Sequence, residues 1–359
     1  MKKAVPFMVG FVLFGCAVFS AKAAFTSLYV FGDGLSTTTN NPSPGSQYYG
    51  NRYSNGRVWV EVLAQRQGLT YDPNKNWSYF YNTSTSMLAH VGSFNAPSDA
   101  SNALFVVWVN CADLWFQSYY SGANMAAWTN GINQSQNNYY KAVTNLYAKG
   151  VRTLIMPNAV DLSTIPEFNT SVNANFIHLR CIDYNIAFSN TLNQIRALCT
   201  NLTIYTPDFF TLLTNLLAHP ANYGVTNALG GGLPIDAIDA VNYGFPTAVI
   251  NGSGTNFIFW NIDNPTAMVH MWMANLAQQL ISPAQIDQLT TLNGSNQLVL
   301  ANVPIGQNGL VLGRTNILSG IWTTNTSFVG TNVTQTLFFP AAGPQWFYRV
   351  SYLYSWTWP

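Results

Sequence analysis

The chain has 359 residues with 14 basic and 13 acidic side chains, so its formal net charge is +1. Only 8% of the residues are charged, and Asn, Thr, Ser and Gln fill the segments between apolar runs. A chain this close to neutral lacks the basic surface that nucleic-acid binding requires. The composition suits an exported protein that binds neutral, hydroxyl-rich material.

The first 23 residues have the pattern of a cleavable export signal. Two lysines precede an apolar run from Phe7 to Phe19, and the small-x-small sequence AKA ends at residue 23. The mature chain is therefore expected to begin at Ala24 and to be secreted or periplasmic; loss of three lysines takes the formal charge from +1 to −2. Phe14 departs from the usual lipobox, so we expect no lipid anchor. No later segment reaches the roughly 20 apolar residues of a membrane span.

The cysteines predict neither a disulfide framework nor a metal site. Of the four cysteines, Cys16 leaves with the signal, and Cys111, Cys181 and Cys199 remain. Three thiols allow at most one disulfide, and Cys181 cannot reach Cys199 within one straight helix, because eighteen residues rise about 27 Å. The pairing stays open, and we predict no bound metal or cofactor.

Residues 27 to about 280 alternate short apolar runs with longer helical patterns. The strands are expected at 27–31, 104–109, 151–156 and 202–206, and the helices at 58–67, 133–149, 175–198 and 209–217. In the third helix a stripe at three- and four-residue spacing predicts the buried face: Phe176, Leu179, Ile182, Ile186, Leu192, Ile195 and Leu198. The alternation predicts a three-layer α/β/α sandwich with a mostly parallel sheet and a site at the carboxyl ends of its strands.

The pattern changes after about residue 290. From Gly294 onward, short apolar runs are separated by Gly, Asn and Pro without a helical period. We therefore divide the chain into a signal peptide (1–23), an α/β domain (24–290) and a small β-rich module (294–359). The module is interpreted either as an attachment or ligand-binding unit or as a stabilising tail, and the oligomeric state is not predicted.

Four stretches carry a resemblance to a known family: VFGDGLS at 30–36, RYSNGRVWVEVLAQ at 52–65, DFFTLLTNLLAHPANYGVTNA at 208–228 and FWNIDNPTAMVHMWMANLA at 259–277. They resemble the GDSLSD block, the following SNG-x-x-W segment, the stretch before the last block and the F-W-D-x-x-H-P-T block of GDSL lipases and esterases, also called SGNH hydrolases. The resemblance covers nearly all of residues 25–282. It implies that family's flavodoxin-like α/β/α fold.

The family's ester hydrolysis uses a serine nucleophile, a glycine N–H and an asparagine amide as oxyanion donors, and a histidine oriented by an aspartate. The resemblance places Gly34 at the serine, Tyr81 or its neighbour Phe80 at the glycine, Ala112 at the asparagine, Asn264 at the histidine and Asn261 at the aspartate. All five positions differ, so the resemblance implies a degenerate member. The ligand cleft is expected to contain Asp33, Gly34, Tyr81, Asn110 and Asn264.

Displaced groups offer a different route to catalysis. Ser36 is the hydroxyl nearest to the nucleophile position, and His90 is the histidine expected to approach the cleft. Asp33, Asp113 and Asp263 could act as acid and base or bind a metal. The competing interpretation is that Ser36 packs or caps a turn and that Asp33 and Asp113 accept backbone N–H bonds.

Nine aromatic residues fall in or near loops that follow strands and could stack on sugar rings or acyl chains. They are Tyr48, Tyr49, Trp77, Tyr79, Tyr81, Trp115, Phe116, Tyr119 and Tyr120. Two hypotheses result. The first is a secreted, non-catalytic binding or structural protein with a carbohydrate or acyl-ester ligand, and the alternative is an exported carboxylic-ester hydrolase that uses displaced residues.

Overall fold

A parallel sheet forms the centre of the computed structural model, which describes residues 25–39, 48–225, 229–230, 233–234, 237, 257–341 and 346–353. Its strands are β1 (Leu28–Gly32), β2 (Leu104–Trp108), β3 (Thr153–Ile155) and β4 (Thr203–Tyr205), in that order. Every residue of β1 and β2 is buried, so both faces of the sheet are covered. The predicted signal peptide lies outside the described residues.

Helices cover both faces of this sheet. They are α1 (Trp59–Arg66), α2 (Ser84–Ser93), α3 (Asn110–Tyr120), α4 (Met125–Ala148), α5 (Ala174–Leu198), α6 (Phe209–Ala218) and α7 (Ala267–Ile281). Helix α1 packs against α7, and both α2 and α5 pack against α4. The outer edge of β1 carries one parallel bridge, between Val30 and Asn76, beside a bond from Trp77 N to Val30 O of 2.8 Å. The three-layer α/β/α prediction is thereby confirmed.

The predicted buried face of α5 is wrong in part. Leu179, Ile186 and Leu198 are exposed, whereas the helix buries aromatic and thiol side chains such as Cys181 and Phe188. Tyr139 of α4 explains this orientation, because its ring meets Phe188 edge-on at a centroid distance of 5.3 Å. The packing of large rings therefore overrides the aliphatic stripe. In the described residues Cys111, Cys181 and Cys199 are free, buried thiols.

Two three-stranded antiparallel sheets form the C-terminal unit. Their strands are β7 (Gln285–Leu292), β8 (Ser295–Ala301), β9 (Asn308–Arg314), β10 (Thr323–Val329), β11 (Thr334–Pro340) and β12 (Phe347–Leu353), arranged as β11-β8-β7 and β10-β9-β12. A separate core joins the sheets through Leu298, Leu300, Val303, Val311, Phe328 and Phe339. A small hairpin, β5 (Leu229–Gly230) with β6 (Leu233–Pro234), lies between α6 and α7 in the chain.

The β structure starts at Gln285, ahead of the Gly294 predicted from composition. Asn293 and Gly294 have φ angles of 51° and 75° and form the turn between β7 and β8. An Asn-Gly pair with positive φ is the usual two-residue hairpin turn. The composition change at Gly294 therefore marks a turn inside the module.

Arg66 connects the two units. It lies in the last turn of α1, where its Nε donates to Asn275 Oδ1 of α7 at 3.1 Å and its Nη1 donates to Ile305 O at 2.7 Å. Ile305 N in turn donates to Arg66 O at 3.4 Å. Because Ile305 lies in the loop between β8 and β9, this end of the module faces the α/β unit. Among the helices that the structure describes, none has both the length and the apolar character to cross a bilayer.

Candidate active site

A pocket of about 90 Å³ lies where the carboxyl ends of β1, β2 and β3 meet the loop before α7. Its walls are apolar, and they include Leu35, Val160, Phe209, Leu213, Leu216 and Met273. This is the edge of the sheet at which the parallel alternation predicts a site.

Four of the positions that the resemblance assigns to catalysis converge on this pocket. Gly34, Tyr81, Ala112 and Asn264 all line it, although they come from four separate parts of the sequence. Gly34 follows β1, Ala112 lies in the first turn of α3 after β2, and Asn264 precedes α7. The pocket is therefore the place where these four assigned positions meet.

Phe80 fills the space at Gly34. A Cβ added to Gly34 would lie 2.9 Å from Cδ2 of the Phe80 ring. Real carbon contacts have their optimum at about 3.5–4.0 Å. The ring is held between Tyr53, at a centroid distance of 4.4 Å, and Tyr81, at 3.8 Å. A glycine at position 34 and a phenylalanine at position 80 are thus complementary in shape, which the sequence alone does not reveal.

Two amides stand where the resemblance assigns the family's histidine and aspartate. Asn261 Oδ1 accepts hydrogen bonds from Asn264 Nδ2 at 3.0 Å, from Asn264 N at 2.6 Å and from Asp263 N at 3.0 Å. Its own Nδ2 donates to the Tyr48 hydroxyl at 3.0 Å. In this loop the side chain of Asn264 is thus oriented by the side chain of Asn261, which lies three residues earlier. Neither amide can take up a proton near neutral pH, so this pair has no general base.

Asp33 lines the pocket and connects the loop after β1 to the first turn of α3. Its Oδ1 accepts from Leu35 N at 3.0 Å, and its Oδ2 accepts from Ala112 N at 3.3 Å. Burial, with a smaller contribution from the charge of Asp113, raises the pKa of this carboxyl to about 7. These contacts agree with the competing interpretation that Asp33 accepts backbone N–H bonds.

Asp113 does not line the pocket. Its Oδ1 accepts from Ser84 N at the start of α2 at 2.9 Å, and its Oδ2 accepts from the Ser135 hydroxyl of α4 at 2.5 Å. Burial raises the pKa of Asp113 to about 6. The side chain therefore joins α2, α3 and α4. Of the three acids predicted to converge, the pocket receives Asp33 and Asp263.

Asn110 is also placed away from the pocket lining, although the sequence predicts it there. It is the first residue of α3, and its side chain turns inward. Its Nδ2 donates to Pro157 O, in the loop after β3, at 3.0 Å. Asn110 is fully buried, and its hydrogen bond connects the start of α3 to the loop after β3.

Ser36 and His90, the displaced nucleophile and base, lie outside the pocket lining. The hydroxyl of Ser36 is fully buried and accepts from Trp59 Nε1 at 3.0 Å. His90 packs against Tyr79, with ring centroids 5.6 Å apart. Within the described chain no hydrogen bond joins the two residues. Elsewhere, burial lowers the pKa of His270 to about 3, so it is neutral at physiological pH.

Besides the carboxyls of Asp33 and Asp263, the pocket wall contains one thiol and one phenol. Cys111 lines the pocket, but burial raises its pKa well above the usual range, so it is a thiol and not a thiolate. Burial likewise raises the pKa of Tyr81. Among the described lining residues there is no serine, threonine or histidine. The part of the chain that the structure describes also has no cluster of three His, Cys, Asp or Glu side chains suited to a metal.

An aromatic patch lies at the mouth of the pocket and includes five of the nine predicted aromatic residues: Tyr81, Trp115, Phe116, Tyr119 and Tyr120. Trp115 lies 5.0 Å from Tyr81 and stacks on Tyr119 at 5.0 Å, measured between ring centroids. Trp77 instead packs against Phe31 of the sheet. The patch therefore offers exposed ring faces beside the apolar pocket.

Two carboxylates meet beneath this patch, a feature that the sequence did not predict. Trp115 Nε1 donates to Glu167 Oε2 at 2.8 Å and to Asp263 Oδ1 at 3.1 Å. His178 also has an acidic partner. Its Nδ1 lies 2.5 Å from Oδ2 of Asp161, which stands between the lining residues Val160 and Leu162 in the chain. Pairs this distant in sequence give no local signal.

Comparisons with known proteins agree with this geometry. The sequence model of the GDSL-like Lipase/Acylhydrolase family matches residues 28–277. A GDSL esterase/lipase of Arabidopsis thaliana is 22% identical over 258 residues, which cover 68% of this chain and 72% of that protein.

Solved structures are similar at lower identity. The acetylxylan esterase Axe2 from Geobacillus stearothermophilus is 12% identical with a TM-score of 0.41, covering 72% of this chain and 96% of that one. The lipase Lip_vut3 from a goat rumen metagenome is 8% identical with a TM-score of 0.42, covering 72% and 97%. Because the family match spans more than half of the residues, the chain belongs to the GDSL-like lipase/acylhydrolase family.

Proposed function

We propose that this protein is an exported, non-catalytic member of its family that binds a small ligand in the former active-site pocket. One observation carries the proposal. The assigned catalytic positions Gly34, Ala112 and Asn264 still converge on one pocket, yet Gly34 has no nucleophile, Ala112 has no side-chain oxyanion donor and Asn264 is not a base. At Gly34 the ring of Phe80 occupies the space that a serine side chain needs.

The size of the loss supports binding over slow catalysis. Removing the nucleophile or the base of such a site costs on the order of a millionfold in kcat. Each oxyanion donor contributes about a further hundred- to thousandfold. These groups are replaced together, so no partial version of the family mechanism remains to account for turnover.

The charge of the pocket favours neutral or cationic ligands. The acidic residues among the described lining are Asp33 and Asp263. A third acid, Glu167, accepts a hydrogen bond from the lining residue Trp115. A fatty-acid carboxylate would meet this negative potential in an otherwise apolar cavity. An uncharged acyl ester, or a neutral sugar whose ring stacks on Trp115 and whose acyl group enters the pocket, matches the apolar walls and the aromatic patch.

Three probes of equal chain length test this preference: n-butanol, n-butylammonium and butyrate, titrated into the mature protein and followed by NMR. We expect the alcohol and the ammonium ion to bind in the millimolar range and butyrate to bind more weakly. Ala112→Leu should fill the pocket and abolish binding. Ala126→Leu, the same change at an exposed position of α4, is the matched control. Tighter binding of butyrate, or equal binding in the two variants, would refute the proposal.

The alternative function is an exported carboxylic-ester hydrolase that uses displaced groups. The observation in its favour is that two acids, Asp33 and Asp263, line the pocket. If they acted as acid and base, ester turnover by the mature chain would be lost in both Asp33→Asn and Asp263→Asn. We expect no turnover in the unmodified protein.

A further inference from the structure

Four aliphatic side chains are exposed at one end of the C-terminal module. Leu318 is 91% exposed, Ile321 86%, Leu292 72% and Ile317 52%. Leu292 ends β7, and the other three belong to the loop between β9 and β10. We call these four residues the apolar tip. Single exposed aliphatics are normal on a soluble protein, whereas a cluster of them indicates an interaction surface.

The apolar tip is at the end of the module that faces away from the α/β unit. Strand β9 starts at Asn308, next to the loop that contacts Arg66 through Ile305, and runs to Arg314 just before the tip. A strand of this length spans about 20 Å. Leu292 reaches the same end, because β7 and β8 are joined there by the Asn293–Gly294 turn. The tip is therefore free to meet a surface while the module stays attached to α1.

Side chains in and next to the tip loop bond some of its backbone polar groups. The guanidinium of Arg314 donates to Ile317 O and, at 3.5 Å, to Gly320 O. Leu318 N donates to Asn316 Oδ1 at 2.9 Å. Backbone groups that enter an apolar medium must be satisfied internally, because no water is there to bond them.

Positive charge and an indole lie immediately behind the tip. The guanidinium of Arg314 is 4.3 Å, and that of Arg349 4.5 Å, from the ring centroid of Trp322. Residues 285–359 contain one acidic residue, Asp287, which lies near the opposite end of the module. Tryptophan and arginine are the side chains that favour the boundary between lipid tails and anionic headgroups.

We propose that the apolar tip docks on an anionic lipid surface, with its aliphatic side chains among the acyl chains and both arginines at the headgroups. Charge complementarity and the order of aliphatic tip, then indole and arginines, select a lipid surface as the occupant. This is peripheral attachment and requires no membrane-spanning segment. It is independent of the pocket, so failure of one proposal does not affect the other.

The test is co-sedimentation of the mature, full chain with vesicles of phosphatidylcholine alone and of phosphatidylcholine with 30% phosphatidylglycerol. We expect binding to the anionic vesicles that weakens as salt is raised. The double variant Leu318→Ser/Ile321→Ser should bind at least about tenfold more weakly. Arg349→Gln should reduce binding to the anionic vesicles only. Val329→Ser is the matched control, since Val329 is 51% exposed at the other end of β10, and it should bind as the parent does.

Absence of vesicle binding would overturn the proposal, and so would equal binding by the double variant and the parent. Analytical ultracentrifugation without lipid adds a third outcome. If the parent self-associates and the double variant does not, the tip binds a second copy of this chain, and the lipid assignment is wrong. Equal affinity for both vesicle types would refute the role given to Arg314 and Arg349.

Discussion

Replacing Gly34 with serine restores the residue that the family uses as nucleophile, and we expect this change to destabilise the protein without creating activity. The backbone at Gly34 lies outside the left-handed region, so it accepts a side chain without strain of its own. The cost arises from the 2.9 Å approach of the new Cβ to the Phe80 ring. Overpacking of this kind costs about 1–3 kcal/mol of unfolding free energy.

A double-mutant cycle isolates this contact. In a Phe80→Ala background the serine has space, so Gly34→Ser should cost less than about 0.5 kcal/mol, which gives a coupling energy of at least about 0.5 kcal/mol. Urea unfolding followed by tryptophan fluorescence measures all four proteins. Gly92→Ser in α2, where nothing lies within 4 Å of an added Cβ, is the control and should be neutral or slightly stabilising. Equal costs in both backgrounds, or ester hydrolysis by Gly34→Ser alone, would refute this reasoning.

Three further changes probe the groups around the site. Because burial raises the pKa of Asp33 to about 7, the unfolding free energy falls as pH rises from about 4 to about 7 and this carboxyl ionises. In Asp33→Asn the fall in unfolding free energy between pH 5 and pH 8 should be smaller by about 2 kcal/mol. An unchanged dependence of the unfolding free energy on pH would contradict this. Asp113→Ala leaves the start of α2 without its acceptor and should cost about 2–3 kcal/mol in urea unfolding at neutral pH; a cost below about 0.5 kcal/mol would show that the bonds contribute little. Arg66→Ala removes the hydrogen bonds to Asn275 and Ile305 and should lower the unfolding free energy by about 3 kcal/mol. It should also speed proteolysis between the two units. Unchanged digestion would show that other contacts hold the module.

The sheet was predictable because β1 and β2 are short, uniformly buried apolar runs, and β3 and β4 lie within apolar or β-branched runs of the same kind. Predicted β1 differs from the observed strand by one residue at each end, and predicted β2 is one residue longer than the observed strand. Helix α3 was missed, since its sequence NCADLWFQSYY is rich in aromatic residues and follows a strand directly. Helix α2 was missed for a different reason: serine and glycine weaken its helical propensity, and its start is held by Asp113 from another element.

The candidate site was predictable only as far as local motifs reach. The GDSL-like blocks located Gly34 and Asn264, because each block forms one loop, the first after β1 and the last before α7. The contacts between blocks were not predictable: Trp115 is 52 residues from Glu167 and 148 from Asp263, and the fit of Phe80 against Gly34 depends on a ring orientation.

Ester turnover by the mature protein tests the central claim most directly. The substrates are p-nitrophenyl acetate and p-nitrophenyl butyrate, measured beside labelling with a fluorophosphonate probe for activated serines. The account predicts turnover no faster than the buffer control and no label. Hydrolysis at rates typical of esterases, together with a label on any serine, would contradict it, and mapping that label would identify the nucleophile.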